Sequence, residues 1–246
     1  MSQTLEQPHL DQLRNLCSTC SLSRLCVPMG LAEADVEQLD NIVQQGRPLR
    51  AGEHLFRAND PFNAIYAVRS GCFKSYIVDS EGHEQVLGFH LPGELLGLDA
   101  IYPEHHRCSA VALDTGSVCT LPYSQLTQLA ARVPGLQSQI FRLLSKDISN
   151  YVELAADHTA DERLAGFLLS LSARFRRRGY SATRFRLIMP RRDIANYLRL
   201  ATETISRVLA RFQHNGLIQV ERRDVELLDL DGLRRTAGSL HIESLS

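Results

Sequence analysis

Cys17, Cys20 and Cys26 stand in the spacing C-x2-C-x5-C, and Cys72, Cys108 and Cys119 follow further along the chain. Three thiolates close in sequence can hold one face of a metal ion or cluster, and a fourth ligand must then come from one of the later three. The spacing is not a ferredoxin run, and C-x2-C alone suits zinc equally; reactive or buried thiols are the other option. A second group with chemistry is Thr202, Glu203, Ser206 and Arg207, where Glu203, Ser206 and Arg207 share one face of a single helical turn. Arg can donate twice to guanine, and Glu can accept from cytosine N4. A carboxylate near phosphate is repelled unless a base donor meets it, so Glu203 points to sequence-specific DNA binding. Its alternative role is to complement a helix dipole beside a surface Arg. Glu104-His105-His106 lacks a third metal ligand at sensible spacing and is expected to be an exposed loop pair. No nucleophile motif, phosphate loop or dinucleotide fingerprint occurs, so no enzyme is expected.

These residues need elements to hold them. A helical pattern runs from Leu31 to Gln45. Between Gly46 and Pro122 short alternating runs, such as Ala64–Val68 and Phe73–Val78, are broken by turns at Ser70-Gly71, Glu81-Gly82 and Pro92-Gly93. That texture predicts an antiparallel barrel or jelly roll. After Pro134-Gly135, Leu136, Ile140, Leu143, Leu144, Ile148, Tyr151 and Ala155 recur at steps of three and four. So narrow a stripe suits a coiled-coil seam between two copies of the chain, with Ile140, Leu144, Ile148 and Tyr151 at the dimer interface. From Thr159 a compact domain follows: an amphipathic helix to Arg178, a strand Arg184–Met189, and helices around Arg191–Leu198 and Thr202–His214. Strands Leu217–Val220 and Val225–Leu228 then form a hairpin. Two helices joined by a tight turn and followed by a hairpin describe a winged helix-turn-helix.

The 246 residues carry a net charge of −1 that hides a division. From Asp161 onward there are 16 Lys+Arg and 10 Asp+Glu, a balance of +6; the preceding residues carry 11 and 18, a balance of −7. A basic final third behind an acidic front suits a nucleic-acid-binding module joined to another domain. No apolar run approaches bilayer length, so no membrane partner is expected. The polar start lacks a signal-peptide core, which points to a cytoplasmic protein. There, cysteines serve metal, redox or packing roles rather than a disulfide framework.

The run Asp193-Ile194-Ala195-Asn196-Tyr197-Leu198-Arg199-Leu200-Ala201-Thr202-Glu203-Thr204-Ile205-Ser206-Arg207 resembles the helix-turn-helix of FNR-type members of the CRP/FNR superfamily. Arg211-Phe212-Gln213 with Asn215-Gly216, Phe89-His90-Leu91-Pro92-Gly93-Glu94 and Ala160-Asp161-Glu162-Arg163-Leu164 extend the resemblance over nearly the whole chain. It implies an α+β fold: a cyclic-nucleotide-binding-like β-roll (jelly roll), a long dimerisation helix and a C-terminal winged helix-turn-helix. The expected segments are 1–30 for the cysteine-bearing cluster-binding part, 31–133 for the sensor, 134–158 for the dimer helix and 159–246 for the DNA-binding domain.

The resemblance also implies a function. Val118-Cys119-Thr120-Leu121-Pro122 matches the family's fourth-ligand context, so the implied cofactor is an oxygen-labile [4Fe–4S] cluster on Cys17, Cys20, Cys26 and Cys119, with Cys72 and Cys108 left as structural thiols. Ser21 and Leu25, beside two ligands, are expected to tune oxygen sensitivity. Glu203, Ser206 and Arg207, flanked by Thr202, would read an inverted repeat of a TTGAT-type half-site. The protein would then be a homodimer that takes molecular oxygen as its signal and works with RNA polymerase to activate or repress anaerobic and microaerobic genes. The alternative on the same fold is control by thiol redox chemistry or another small effector without a cluster. Family members carry an acid one turn after the seam isoleucine, where this chain has Tyr151; the substitution implies a dimer less dependent on oxygen. Control by a cyclic nucleotide is disfavoured because Leu98 replaces the ribose-binding Glu and Cys108 follows Arg107 in place of Ser.

Overall fold

The structure, a computed structural model, describes residues 17–238; the start of the expected cluster-binding segment (1–16) and the end of the expected DNA-binding domain (239–246) lie outside the described residues. The alternating runs form eight strands: β1 (Gln44–Gln45), β2 (His54–Phe56), β3 (Ala64–Ser70), β4 (Phe73–Val78), β5 (Glu84–His90), β6 (Leu95–Leu96), β7 (Ser109–Ala112) and β8 (Ser117–Pro122). They pair antiparallel in two four-stranded sheets, β1-β8-β3-β6 and β2-β7-β4-β5. This is the expected β-roll. Side chains on a strand alternate between faces, and β3 uses both. Val68, with Phe56, Phe73, Leu96, Ala110 and Val118, fills the space between the sheets. Ile65 and Ala67 turn outward, to a second cluster with Leu39, Leu121, Leu126 and Leu136.

Helices cover that outer face. α1 spans Glu33–Asp40, shorter than the expected 31–45 because Ile42 and Val43 pack on the core from the turn leading into β1. α2 (Tyr123–Ala130) was not anticipated; its Leu126 and Leu129 are buried on the same cluster. α3 runs from Pro134 to Ala155. Its apolar stripe divides in two. Leu136 is fully buried, and Ile140 and Leu143 pack against the roll. Phe141, Ile148 and Val152 are 62%, 63% and 65% exposed, with Tyr151 half-exposed beside them. Ile140 and Leu144 are half-buried, and Phe141 and Val152 add to the exposed face; the side chain of Ala155 lies outside the described set.

α4 (Ala160–Arg177) begins at a capping box: Glu162 N–H donates to Thr159 Oγ1 (3.3 Å) and Thr159 N–H donates to Glu162 Oε2 (2.7 Å). Such a cap holds a helix start by about 1 kcal/mol. β9 (Arg184–Arg186), α5 (Arg191–Tyr197), α6 (Thr202–His214), β10 (Ile218–Glu221), β11 (Asp224–Leu227) and α7 (Leu230–Ala237) complete the head. The hairpin gains β9 as a third strand, in the order β10-β11-β9. α7 had no expectation: only Leu230, Leu233 and Ala237 supply its apolar side, too short a pattern to separate from a loop.

Candidate functional site

β8 explains which later cysteine can join the first three. Cys119 alternates with Val118, so it faces away from the roll interior, and it pairs in register with Ala67 of β3. The small side chain opposite leaves room. Cys108 faces the interior cluster and Cys72 is fully buried beneath the head. Cys17, Cys20, Cys26 and Cys119 therefore line one apolar cavity against Leu39 and Val68.

The segment bearing the first three is held from α1. The Asp40 carboxylate accepts from the Cys17 amide, and from the Ser18 hydroxyl at 2.9 Å. Residues 17–19 form one 3-10 turn, and the Cys20 amide closes it on Cys17 O at 3.2 Å. Burial raises the Cys26 thiol to about 12; burial first, then Asp40, pushes Cys17 higher still. Burial also raises Cys119, against an opposing pull from Arg69, which lines the same cavity. Burial of this kind disfavours the thiolate form, which a bound cation would favour. All six cysteines are free thiols. Among the described residues no three Cys, His, Asp or Glu side chains close on a single metal ion. A tetrahedral zinc would need sulfurs roughly 3.8 Å apart, from Zn–S bonds of about 2.3 Å.

The reading head is built on a buried seam. Ile194 and Leu198 meet Ile205, Val208 and Leu209, all 5% exposed or less. The seam turns Glu203 and Arg207 outward, with Thr202 and Ser206 half-buried between them. Ser206 Oγ donates back to Thr202 O (3.1 Å), and Arg207 Nη2 donates to Thr204 Oγ1 (3.2 Å). Arg199 occupies the turn between α5 and α6 at φ 56°, and Arg222 the wing tip at φ 57°; both are exposed, in a conformation that disfavours side chains. Arg211 pairs with Asp161 and ties α6 to α4.

The head docks on the edge of the roll. Asn196 of α5 caps β5: Val86 N–H donates to its Oδ1 and its Nδ2 donates to Glu84 O, each at 2.6 Å. Lys74, buried, meets Asp193 at 3.1 Å and Glu84 at 2.8 Å. Glu94 is gripped by Arg174 of α4 (2.6 Å) and by Arg178, the residue that caps its end (2.7 Å). The two guanidinium groups hold its carboxyl far below the usual carboxylate range, against the burial that would raise it. Sequence reading missed these residues. Arg-rich α4 carried the only hint, since Arg174 and Arg178 recur at a spacing of four.

Residues 46–133 match the cyclic nucleotide-binding domain family, and residues 162–236 match the Crp-like helix-turn-helix domain. The chain is 48% identical to the transcriptional activator protein anr of Pseudomonas aeruginosa, over 97% of this chain and 98% of that one. It is a CRP/FNR-family regulator of the FNR type. The fumarate and nitrate reduction regulatory protein of Escherichia coli is 44% identical, over 90% of each chain, and the anaerobic regulatory protein of Haemophilus influenzae is 46% identical, over 91% of this chain and 88% of that one. Among solved structures, FixK2 from Bradyrhizobium japonicum superposes at TM-score 0.72, with 28% identity, over 79% of this chain and 97% of that one. This FNR-type chain is thus a DNA-binding transcription regulator of a family that dimerises and is not enzymatic, in the α+β fold expected. No helix among the described residues is long and apolar enough to cross a membrane. One expectation fails: His106 of this FNR-type chain is no exposed loop residue. It is 1% exposed and stacks on Phe56 with ring centroids 3.7 Å apart, while His105 alone faces solvent.

Proposed function

We propose that this regulator senses oxygen through a [4Fe–4S] cluster held by Cys17, Cys20, Cys26 and Cys119, and binds an inverted repeat of TTGAT-type half-sites as a dimer. The observation that carries it is the shared cavity: four cysteines from two distant segments line it, and the remaining two cysteines do not. Arg69 lines the same cavity and supplies a counter-charge for thiolates. When bound, such a cluster supplies oxygen-labile iron–sulfur chemistry. The chain's own residues do the rest. Asp40 holds the cysteine turn, and α3 presents Phe141, Ile148, Tyr151 and Val152 to a second copy. Two heads then meet half-sites about one DNA turn apart, with Glu203, Ser206, Arg207 and Thr202 at the base edges.

An active cyclic-nucleotide pocket is disfavoured by local charge. The Asp99 carboxylate accepts from the Arg107 amide (3.2 Å) and the Cys108 thiol (3.4 Å), so an acid stands where a phosphate would have to sit. Activation and repression of anaerobic or microaerobic genes, contact with RNA polymerase and a cytoplasmic location follow from the same proposal. The test is iron and acid-labile sulfide per chain in protein purified without oxygen. Cys119→Ala is expected to lose the iron and Cys108→Ala to keep it. Zinc in place of iron, or equal loss in both variants, would reject the cluster assignment and leave the DNA-binding role standing.

A further inference from the structure

We propose that Glu94 is a positioning residue: it sets the angle of the DNA-binding head against the sensor and couples that angle to the cysteine segment within one protomer. The proposal rests on the DNA-binding role above. Glu94 lies at the end of the turn 91–94, between the cysteine cavity and α4. On the sensor side, both backbone groups of Val68, a wall of that cavity, bond the turn: Gly93 N–H donates to Val68 O (2.7 Å) and Val68 N–H donates to Glu94 O (2.9 Å). Leu25, next to Cys26, packs directly on Gly93, where an added Cβ would sit 3.0 Å from Leu25 Cβ. Gly93 has φ 90°, so backbone freedom and close approach both call for glycine there.

On the head side, Arg174 Nε and Nη2 donate to the two Glu94 oxygens at 2.9 and 2.6 Å, and Arg178 Nη2 donates to Oε1 at 2.7 Å. The same guanidiniums grip the turn's backbone: Arg174 Nη2 donates to Phe89 O (2.6 Å) and Arg178 Nε donates to Pro92 O (2.7 Å). A fork of charge-assisted bonds fixes direction as well as distance, which apolar packing alone does not. The contacts that join the cysteine segment to α4 run through Leu25, Gly93 and Glu94, in a cleft that Leu143 and Asp147 of α3 also line. A dimer whose heads hold a fixed angle discriminates between half-site spacings; one whose heads swivel does not.

The experiment compares wild-type protein, purified without oxygen and loaded with iron and sulfide, with Glu94→Gln and Arg178→Lys. Affinity is measured for three duplexes: two inverted TTGAT half-sites, the same pair with one extra base pair between them, and a single half-site. Glu94→Gln is expected to bind the native-spaced duplex about tenfold more weakly, to lose most of the discrimination against the longer spacer, and to bind the single half-site as wild type does. Arg178→Lys, which keeps a cation and safeguards the test if Glu94→Gln misfolds, is expected to shift the spacing preference in the same direction by less. A variant that weakens on all three duplexes in proportion, or keeps the wild-type spacing preference, would overturn the proposal. Wild-type protein that binds none of them would defeat the DNA-binding role itself, and the positioning role with it.

Discussion

Glu203 and Arg207 stand exposed at the start of α6 because Ile205, Val208 and Leu209 claim its other face. A carboxylate there gains from a base donor and loses beside phosphate. Glu203→Ala is therefore expected to relax discrimination at one base pair by about 1–3 kcal/mol while leaving affinity for a mismatched site nearly unchanged. Affinities for the operator and its single-base variants check this; uniform weakening across all of them would show Glu203 to act on the helix rather than on a base. At this scale the sequence was informative where a motif is local. The C-x2-C-x5-C spacing and the α6 face could be read directly. Arg69 could not, because only the pairing of β3 with β8 brings its strand beside Cys119. Glu94 could not either, since its two guanidinium partners come from 80 and 84 residues away.

At the scale of the element, α3 carries two faces that one stripe of apolar letters does not separate. Ile140 serves the roll and Phe141 faces out, one residue and about 100° apart on the helix. Ile148→Glu and Phe141→Glu are each expected to leave the fold intact and to weaken dimerisation by about 3 kcal/mol, on the order of a hundredfold, through like charges facing across a two-fold axis. Sedimentation equilibrium reads this; unchanged dimers in both variants would place the interface elsewhere.

Asp147 of α3 gives a further handle. Burial first, then Glu94 and Asp99, raises its carboxyl to about 6 from 3.8, with Lys146 opposing. The folded state then holds this proton where the unfolded chain has released it, so Asp147 stabilises at low pH and its contribution is lost as pH rises from about 4 to 6. His90 acts in the opposite sense: burial lowers it to about 4 from 6.5, and stability is lost as pH falls across that range. The two slopes oppose each other over the pH range they share. Asp147→Asn is expected to gain stability relative to wild type as pH rises through 4 to 6 and to hold a constant difference above. Urea melts at stepped pH measure it, and a pH-independent difference would contradict it.

At the scale of the molecule, sensor and head share one apolar cluster. Cys72, Val86, Phe89 and Leu91 of the roll join Leu164, Phe167, Leu168 and Leu198 of the head. Period-two strands, a long helix and a helix-turn-helix were each legible in the letters. Their docking was not, because a β5 edge capped by Asn196 and the Lys74–Asp193 pair depend on residues more than a hundred positions apart. The fold puts the cysteine cavity on one side of β3, an exposed apolar face along α3 and the helix-turn-helix head on the β5 edge. Oxygen control is tested most directly by operator affinity of iron-loaded protein, titrated without oxygen and again after exposure to air, with iron and sulfide counted on both samples. Iron lost in air together with a large fall in affinity is the predicted result. With Tyr151 on the exposed face of α3, a residual cluster-free dimer is part of that expectation. Affinity that survives complete loss of iron, or iron-free protein that binds as tightly from the start, would contradict it.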